Sequence, residues 1–81
     1  MRLIPMNSSN LAGLAYDGEK VYAQFNNGSV YTYRGVDEDV LLSVLFDPDS
    51  QGKSFNAKIK GGNYPYEKLS DEAVDNLGFH V

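Results

Sequence analysis

The dipeptide Asn27-Gly28 is the feature that most constrains how this chain folds. It separates two segments, residues 21–25 and 30–33, in which the side chains alternate with the period of a β-strand. Asn-Gly is preferred in two-residue hairpin turns, because both central positions of a type I′ turn need a positive φ. The sequence therefore predicts a β-hairpin centred on this pair.

A two-residue turn would also fix which side chains share a face. Phe25 would pair with Val30 and Tyr22 with Tyr33. One face of the hairpin would then carry Val21, Ala23, Phe25, Val30 and Thr32, and the other would carry Tyr22, Gln24, Tyr31 and Tyr33. The assignment depends on the turn, because a one-residue slip moves every side chain of a strand to the opposite face.

A second hairpin and three helical segments complete the predicted fold. Residues 11–16 form an apolar run that stops at the turn dipeptide Asp17-Gly18, which adds a third strand to the sheet. Helices are predicted near residues 37–46, from Ser50 to Lys60, and from Ser70 to Gly78, each with a polar or acidic start. We expect an α+β fold: a small three-stranded antiparallel meander with two to three short helices packed on one face, the aliphatic one.

Length and composition set limits on the protein. The length of 81 residues predicts a single domain, residues 1–81. A domain of this size buries only about 60% of the surface that its unfolded chain exposes. The chain has no cysteine, a net charge of −4 and no apolar run of membrane-spanning length. We therefore expect a cytoplasmic protein with no membrane partner, and no general affinity for polyanions.

Several short motifs follow one another along the chain: Ser8-Ser9-Asn10, Tyr16-Asp17, Phe25, Gly28, Tyr31-x-Tyr33, Ser50-x-Gly52-Lys53-x-Phe55-Asn56-x-x-Ile59-Lys60 and Tyr64-Pro65-Tyr66-Glu67-Lys68-Leu69. In their order and spacing they resemble the KTSC domain over roughly residues 6–69, which leaves an acidic helical tail at 70–81. The family is named after the C-terminal extension of some lysyl-tRNA synthetases, and it also occurs as a stand-alone protein in bacteria and phages. The resemblance implies a small α+β domain for which RNA binding has been suggested, and it does not imply an enzyme.

The tyrosines suggest a surface for RNA or single-stranded nucleic acid. Such binders stack bases on aromatic rings, and Tyr22, Tyr31 and Tyr33 would form a platform of this kind, either open or covered by Tyr64 and Tyr66. The alternative is that these rings simply pack in the core, since tyrosine is a strong strand former. On the predicted second helix, the exposed side carries Lys53, Asn56 and Lys60, which could contact phosphates or merely be solvated.

Motifs of catalysis and metal binding fail on inspection, so we expect neither an enzyme nor a cofactor. Gly52-Lys53-Ser54 lacks the upstream glycine of a P-loop, because Asp47 stands at that position. The segment from Asp47 would make a calcium loop, but Lys58 replaces its bidentate glutamate. Ser50 and Lys53 have the spacing of a β-lactamase pair without the rest of that site. His80, the only histidine, is predicted to be a solvated terminal residue.

Two further hypotheses remain open. The domain could be an acidic, phage-type inhibitor that blocks a host or defence nucleic-acid-handling complex in the manner of an anti-CRISPR protein, by presenting carboxylates to a basic groove. The acidic residues concerned are Asp37, Glu38, Asp39, Asp47 and Asp49. The other hypothesis is homo-oligomerisation through the tyrosine face, which helices on the aliphatic face would leave uncovered.

Overall fold

The computed structural model describes residues 1–79 and has the expected α+β class, with a five-stranded antiparallel sheet instead of three strands. The strands follow chain order across the sheet: β1 (Ile4–Pro5), β2 (Leu11–Tyr16), β3 (Lys20–Phe25), β4 (Val30–Arg34) and β5 (Tyr66–Lys68). The prediction is correct for β2 to β4 and wrong in omitting the two edges. Each edge strand is too short to show a period in the sequence, and β1 contains a proline, which a sheet tolerates at its edge.

The helices begin and end where the sequence signals predict. They are α1 (Glu38–Leu45), α2 (Gln51–Phe55), which continues as a π-helical segment (Asn56–Lys60), and α3 (Asp71–Leu77). The hydroxyl of Ser50 accepts the Lys53 N–H at 3.1 Å and caps α2, while Gly78, at φ +61°, ends α3. Within residues 1–79, none of these helices has the length and hydropathy that a membrane span requires.

The predicted register of the central hairpin is wrong by one residue. Gly28 N–H donates to the Phe25 carbonyl (2.9 Å) and Phe25 N–H donates to the Ser29 carbonyl (2.8 Å), so the loop has three residues, 26–28. Gly28 alone in this loop has a positive φ, +91°. This is the loop that pairs a type I turn with a left-handed glycine, and not the two-residue type I′ turn. As a result Tyr22 lies opposite Thr32 and Tyr33 lies opposite Val21.

The changed register separates the tyrosines. Tyr31 and Tyr33 share a face with Val21 and Ala23, and this face packs against α1, α2 and the π-helical segment through Val44, Phe55 and Ile59. Tyr22 lies on the opposite face with Ala15 and Val30. The predicted platform of Tyr22, Tyr31 and Tyr33 is therefore wrong as a single surface.

Helices cover both faces of the sheet, which corrects the prediction of one-sided packing. Val74 and Leu77 of α3 pack with Leu69 against the second core, around Tyr22 and Val30. The acidic tail thus supplies an apolar stripe that covers the second face of the sheet. The uncovered tyrosine face on which the homo-oligomer hypothesis rested does not exist in this arrangement. The prediction for His80 lies outside the described residues.

Candidate functional site

A groove of about 1180 Å³ lies between one half of the sheet and α2. Its floor is aromatic and comes from β3, β4 and β5, and its helical wall comes from α2 and the π-helical segment. Two loops, residues 7–10 and 26–29, close one end. The volume lies just above the roughly 300–1,000 Å³ of typical small-molecule pockets. The floor consists of Phe25, Tyr31, Tyr33, Tyr66 and Lys68, and the helical wall consists of Ser50, Gly52, Lys53, Asn56 and Lys60.

Pairing between β4 and β5 builds the floor. Tyr33 lies opposite Tyr66, and Tyr31 lies opposite Lys68, so the four side chains share one face. The Tyr66 ring centroid is 6.1 Å from that of Tyr33 and 6.5 Å from that of Tyr31. Exposure rises across the cluster: Tyr33 is 3% exposed and Tyr66 is 70% exposed. The groove therefore presents one open ring, which lies beside the buried ring of Tyr33 and the half-buried ring of Tyr31.

The buried tyrosine remains a neutral phenol at physiological pH. Burial raises the pKa of Tyr33 above its usual value of 10.0, and the neighbouring hydroxyls of Tyr31 and Tyr66 raise it further. The Phe55 ring meets the Tyr33 ring edge-on, with centroids 5.7 Å apart. Edge-on contacts of this kind between aromatic rings stabilise the position of the Tyr33 ring.

Packing of α2 aims its polar residues into the groove. Phe55 and Ile59 are fully buried against the sheet, so Lys53, Asn56 and Lys60 emerge on the exposed side. The Gly61 N–H donates to the Asn56 carbonyl at 2.8 Å, five residues back, as a π-turn requires. Such turns are rare in proteins, and those that occur are often found at functional sites. Lys53 and Lys60 are separated by about 10 Å along the helix axis, at about 1.5 Å per residue.

The charge of the groove is opposite to that of the whole chain. Three of the five lysines line it and none of the eleven acidic residues does, although the net charge is −4. Lys53, Lys60 and Lys68 also make no ion pair within residues 1–79, where Arg34 and Glu19 form the ion pair seen. The groove is thus a local site of positive potential next to exposed aromatic surface.

Hydrogen bonds hold the loop end of the groove in place. The Asn26 N–H donates to the Asn10 carbonyl at 2.8 Å, and the Asn26 side-chain amide donates to the Ser9 carbonyl at 2.7 Å, which joins the two loops. Gln51 anchors them to α2: its Oε1 accepts the Asn7 N–H, and its Nε2 donates to the Leu45 carbonyl, both at 2.8 Å. Both loops therefore have defined positions beside the helix.

Glycine at position 52 permits this close approach. A Cβ atom at Gly52 would lie 2.7 Å from the Ser8 hydroxyl, closer than real Cβ contacts allow. Ser8 in turn accepts the N–H groups of Asn10 and Leu11, at 3.2 and 3.3 Å. The contact explains why a residue of the helix start and a residue of the first loop occur together at one end of the groove.

Six of the eight residues predicted for a nucleic-acid or partner site come together in the groove: Tyr31, Tyr33, Lys53, Asn56, Lys60 and Tyr66. Tyr64 does not line it and is half-buried against the core. Tyr22 is excluded because the sheet lies between it and the groove. Its hydroxyl donates to Asp17 Oδ2 at 3.0 Å, and its ring meets the Phe79 ring edge-on at 6.1 Å.

The model of the KTSC domain family matches residues 7–64, nearly three quarters of the chain. The chain belongs to the KTSC domain family. It is also 32% identical over 71 residues to a protein of Stutzerimonas stutzeri (strain A1501) whose description is "Uncharacterized protein". That match covers 85% of this chain and 99% of the relative.

The residues of this KTSC domain that the family model matches include most of the groove residues. Both loops, Tyr31, Tyr33 and the helical wall lie within residues 7–64, whereas Tyr66 and Lys68 follow it. The resemblance seen in the sequence is thereby confirmed. Many of the residues that carry it, among them Ser8, Phe25, Tyr33, Gly52 and Lys53, are groove residues.

Reasoning from the sequence missed part of the KTSC groove. Lys68 belongs to the motifs that carry the resemblance but is not predicted as a site residue, although it stands two residues after Tyr66 and so shares its face once β5 is recognised as a strand. Asn7, Asn10, Asn26 and Asn27 were not predicted either. No local signal identifies them, because loops distant in sequence meet only through the tertiary fold.

The predicted acidic surface is divided into two parts in the KTSC fold. Asp37, Glu38 and Asp39 are exposed at the start of α1, whereas Asp47 and Asp49 follow its end, about 12 Å away along the axis. The N–H groups of Ser50 and Asp49 donate to Asp47 at 2.9 Å and hold the pKa of that carboxyl below its usual value. Within residues 1–79, no acidic or histidine cluster has the geometry of a metal site.

Proposed function

We propose that this KTSC domain is a non-enzymatic binding module for RNA or another single-stranded nucleic acid. The strand binds in the groove. The observation that carries the proposal is the segregation of charge: Lys53, Lys60 and Lys68 line the groove without any acidic neighbour in its lining. Nucleic-acid affinity rests largely on the release of counterions when lysines meet phosphates. A local basic groove achieves this even in a chain of net charge −4.

The aromatic floor supports the same class of ligand. Proteins that bind single strands combine a basic groove with rings on which bases stack, and each stacked base contributes about 1–3 kcal/mol. Tyr66 offers such a ring, because it is 70% exposed and is supported by Tyr31 and Tyr33. A paired duplex cannot use this ring without unstacking its own bases, so a single strand is the better fit.

Binding without catalysis is the role that fits these residue types. Lysines, tyrosines and amides give a groove that holds and orients a polyanion, whereas hydrolysis by general acid and base needs titratable groups poised near neutral pH. Within residues 1–79, the groove lining contains no carboxylate or imidazole. We expect the ligand of the domain to be cytoplasmic RNA.

A comparison of strand types tests the proposal. A labelled RNA oligonucleotide of about 12 nucleotides, within the range that small single-strand binding folds occupy, is titrated with the protein at 50 mM salt. The same sequence annealed to its complement is the control. We expect the single strand to bind and the duplex to bind at least about tenfold more weakly. Absence of binding to the single strand at low salt contradicts the proposal.

One observation favours the second candidate, an inhibitor that presents the outer face of α1 to a basic protein. Leu42 and Phe46 are exposed one helical turn apart, Phe46 at 77%, between the two acidic ends of the helix. An apolar centre with an acidic rim would complement the basic groove of a host or defence complex. Pull-down from bacterial lysate should recover such a protein with the wild type and lose it with Phe46→Ala; recovery by both proteins or by neither contradicts this candidate.

A further inference from the structure

The loop end of the groove carries an unusual concentration of side-chain amides. Five of the seven asparagines in the chain line the groove, although only 18 of residues 1–79 do so. We define these five as the amide wall: Asn7, Asn10, Asn26, Asn27 and Asn56. The wall lies beside the basic and aromatic residues but contributes no charge.

The chemistry of an amide indicates which part of a nucleic acid it meets. A phosphate only accepts hydrogen bonds, so an amide oxygen facing it is left without a partner, and lysine serves phosphate better. A base edge carries both donors and acceptors, and the paired N–H and carbonyl of asparagine match it in two-point contacts. The amide wall is therefore suited to bases and the lysines to the backbone.

Three members of the amide wall have amide groups available for such contacts. The side chains of Asn7, Asn10 and Asn56 make no hydrogen bond to another group within residues 1–79, and all three are exposed to the groove. The side chains of Asn26 and Asn27 instead hold the loops: one donates to the Ser9 carbonyl, and the other accepts the Ser29 N–H at 3.0 Å. The available amides thus stand on a framework of loops that is already ordered, which lowers the entropic cost of binding.

From this division we infer that the groove reads base edges through Asn10 and Asn56, so that binding of single-stranded RNA depends on base identity. The inference rests on the proposed function and adds selectivity to it. Lys53, Lys60 and Lys68 hold the backbone and Tyr66 stacks one base, which together give affinity for any sequence. The amides then discriminate between bases that expose different donors and acceptors.

Three oligonucleotides of equal length test the inference: oligo(A), oligo(C) and an abasic ribose-phosphate strand. The proteins are the wild type, Asn10→Ala/Asn56→Ala, and Asn76→Ala, whose asparagine is exposed on α3 away from the groove. We expect the wild type and Asn76→Ala to distinguish oligo(A) from oligo(C) by at least about fivefold. In the double variant the two dissociation constants should converge to within twofold, with affinity for the abasic strand unchanged.

Two results overturn the inference while leaving the proposed function standing. One is equal affinity of the wild type for oligo(A) and oligo(C), and the other is an unchanged ratio in the double variant. A loss of abasic-strand affinity in the double variant also overturns it, because the amides would then serve the backbone. If the wild type binds none of the three strands at 50 mM salt, the proposed function itself fails along with the inference.

Discussion

Tyr33 and Tyr66 face each other across β4 and β5, with ring centroids 6.1 Å apart. One ring is almost completely buried in the core, and the other is largely exposed in the groove. The pair therefore connects the part of the molecule that provides stability to the part that we propose binds a ligand. Because the buried ring of Tyr33 and the half-buried ring of Tyr31 support it, Tyr66 can offer an open ring in a defined position.

Removal of the Tyr66 ring should weaken RNA binding without unfolding the protein. We expect Tyr66→Ala to reduce affinity for a single-stranded RNA by about 5- to 150-fold, which corresponds to the roughly 1–3 kcal/mol of one stacked base. Because the ring is 70% exposed, Tm should change little. Fluorescence polarisation and a thermal melt measure the two effects.

Phe46→Ala is the matched control, since Phe46 is a similarly exposed aromatic residue that caps the C-terminus of α1 and lies outside the groove. We expect this variant to bind RNA as the wild type does. Equal losses in both variants would mean that exposed aromatic surface in general, and not the groove, is responsible for binding.

Substitution of Gly28 should destabilise the protein more than substitution of Asn27, its neighbour in the loop. Its φ of +91° is a conformation that costs residues with a side chain about 1–2 kcal/mol, so Gly28→Ala should lower the free energy of unfolding by about that amount. Asn27→Asp keeps the oxygen that accepts the Ser29 N–H and should stay within about 0.5 kcal/mol of the wild type. Urea titrations measure both; similar stability of Gly28→Ala and wild type contradicts the left-handed conformation of Gly28.

The hairpin shows how far the sequence predicts this fold. Alternation identified β3 and β4, and Asn27-Gly28 placed the turn between them, both correctly. The loop length was not predictable from the dipeptide, because a glycine with positive φ occurs both in a type I′ turn and after a type I turn. The error of one residue placed Tyr22 on the wrong face.

The sequence predicts which residues line the candidate groove where the helix period alone decides their position, and it does not predict those that only the tertiary structure brings there. Lys53, Asn56 and Lys60 were grouped correctly from their spacing relative to Phe55 and Ile59. The amide wall spans two loops that are 16 residues apart in the chain and are joined by the hydrogen bond from the Asn26 N–H to the Asn10 carbonyl. No local sequence pattern predicts this contact. Strand β5 pairs with β4 more than 30 residues earlier in the chain, so its residues were recognised only in part.

Phe55 should be essential to the core on the groove side. It is fully buried and meets Phe25 and Tyr33 edge-on, with centroids 6.1 and 5.7 Å away. Phe55→Ala should lower the free energy of unfolding by about 3–5 kcal/mol, a large part of the roughly 5–15 kcal/mol available to a small domain. Lys53→Ala, on the exposed side of the same helix, should cost under about 0.5 kcal/mol. Similar urea midpoints for the two variants would contradict this packing.

Asp17 should make stability depend on pH in the acidic range. Slight burial acts to raise the pKa of Asp17, but N–H donors from Lys20 and Glu19 and the Tyr22 hydroxyl outweigh it and lower the pKa below 3.8. Because the pKa is lower in the folded state, the carboxylate stabilises the fold above the unfolded pKa. This contribution is lost as the pH falls through the folded pKa.

We therefore expect Asp17→Asn to have a lower urea midpoint than the wild type at pH 7, with the difference shrinking below about pH 4. Urea titrations of the two proteins between pH 7 and pH 2 measure it. A difference that stays constant over this range would show that the charge of Asp17 makes no contribution.

The salt dependence of RNA binding tests the central proposal most directly. Dissociation constants are measured between 50 and 200 mM salt for the wild type, for Lys53→Ala/Lys60→Ala/Lys68→Ala, and for Lys58→Ala. Lys58 belongs to the same π-helical segment but donates to Ser43 at 3.2 Å outside the groove. Each phosphate contact of a single strand contributes a slope of about −0.7 in log K against log salt. We predict that the triple variant loses about two units of slope and that Lys58→Ala keeps the wild-type slope, whereas equal slopes in all three proteins would contradict binding in this groove.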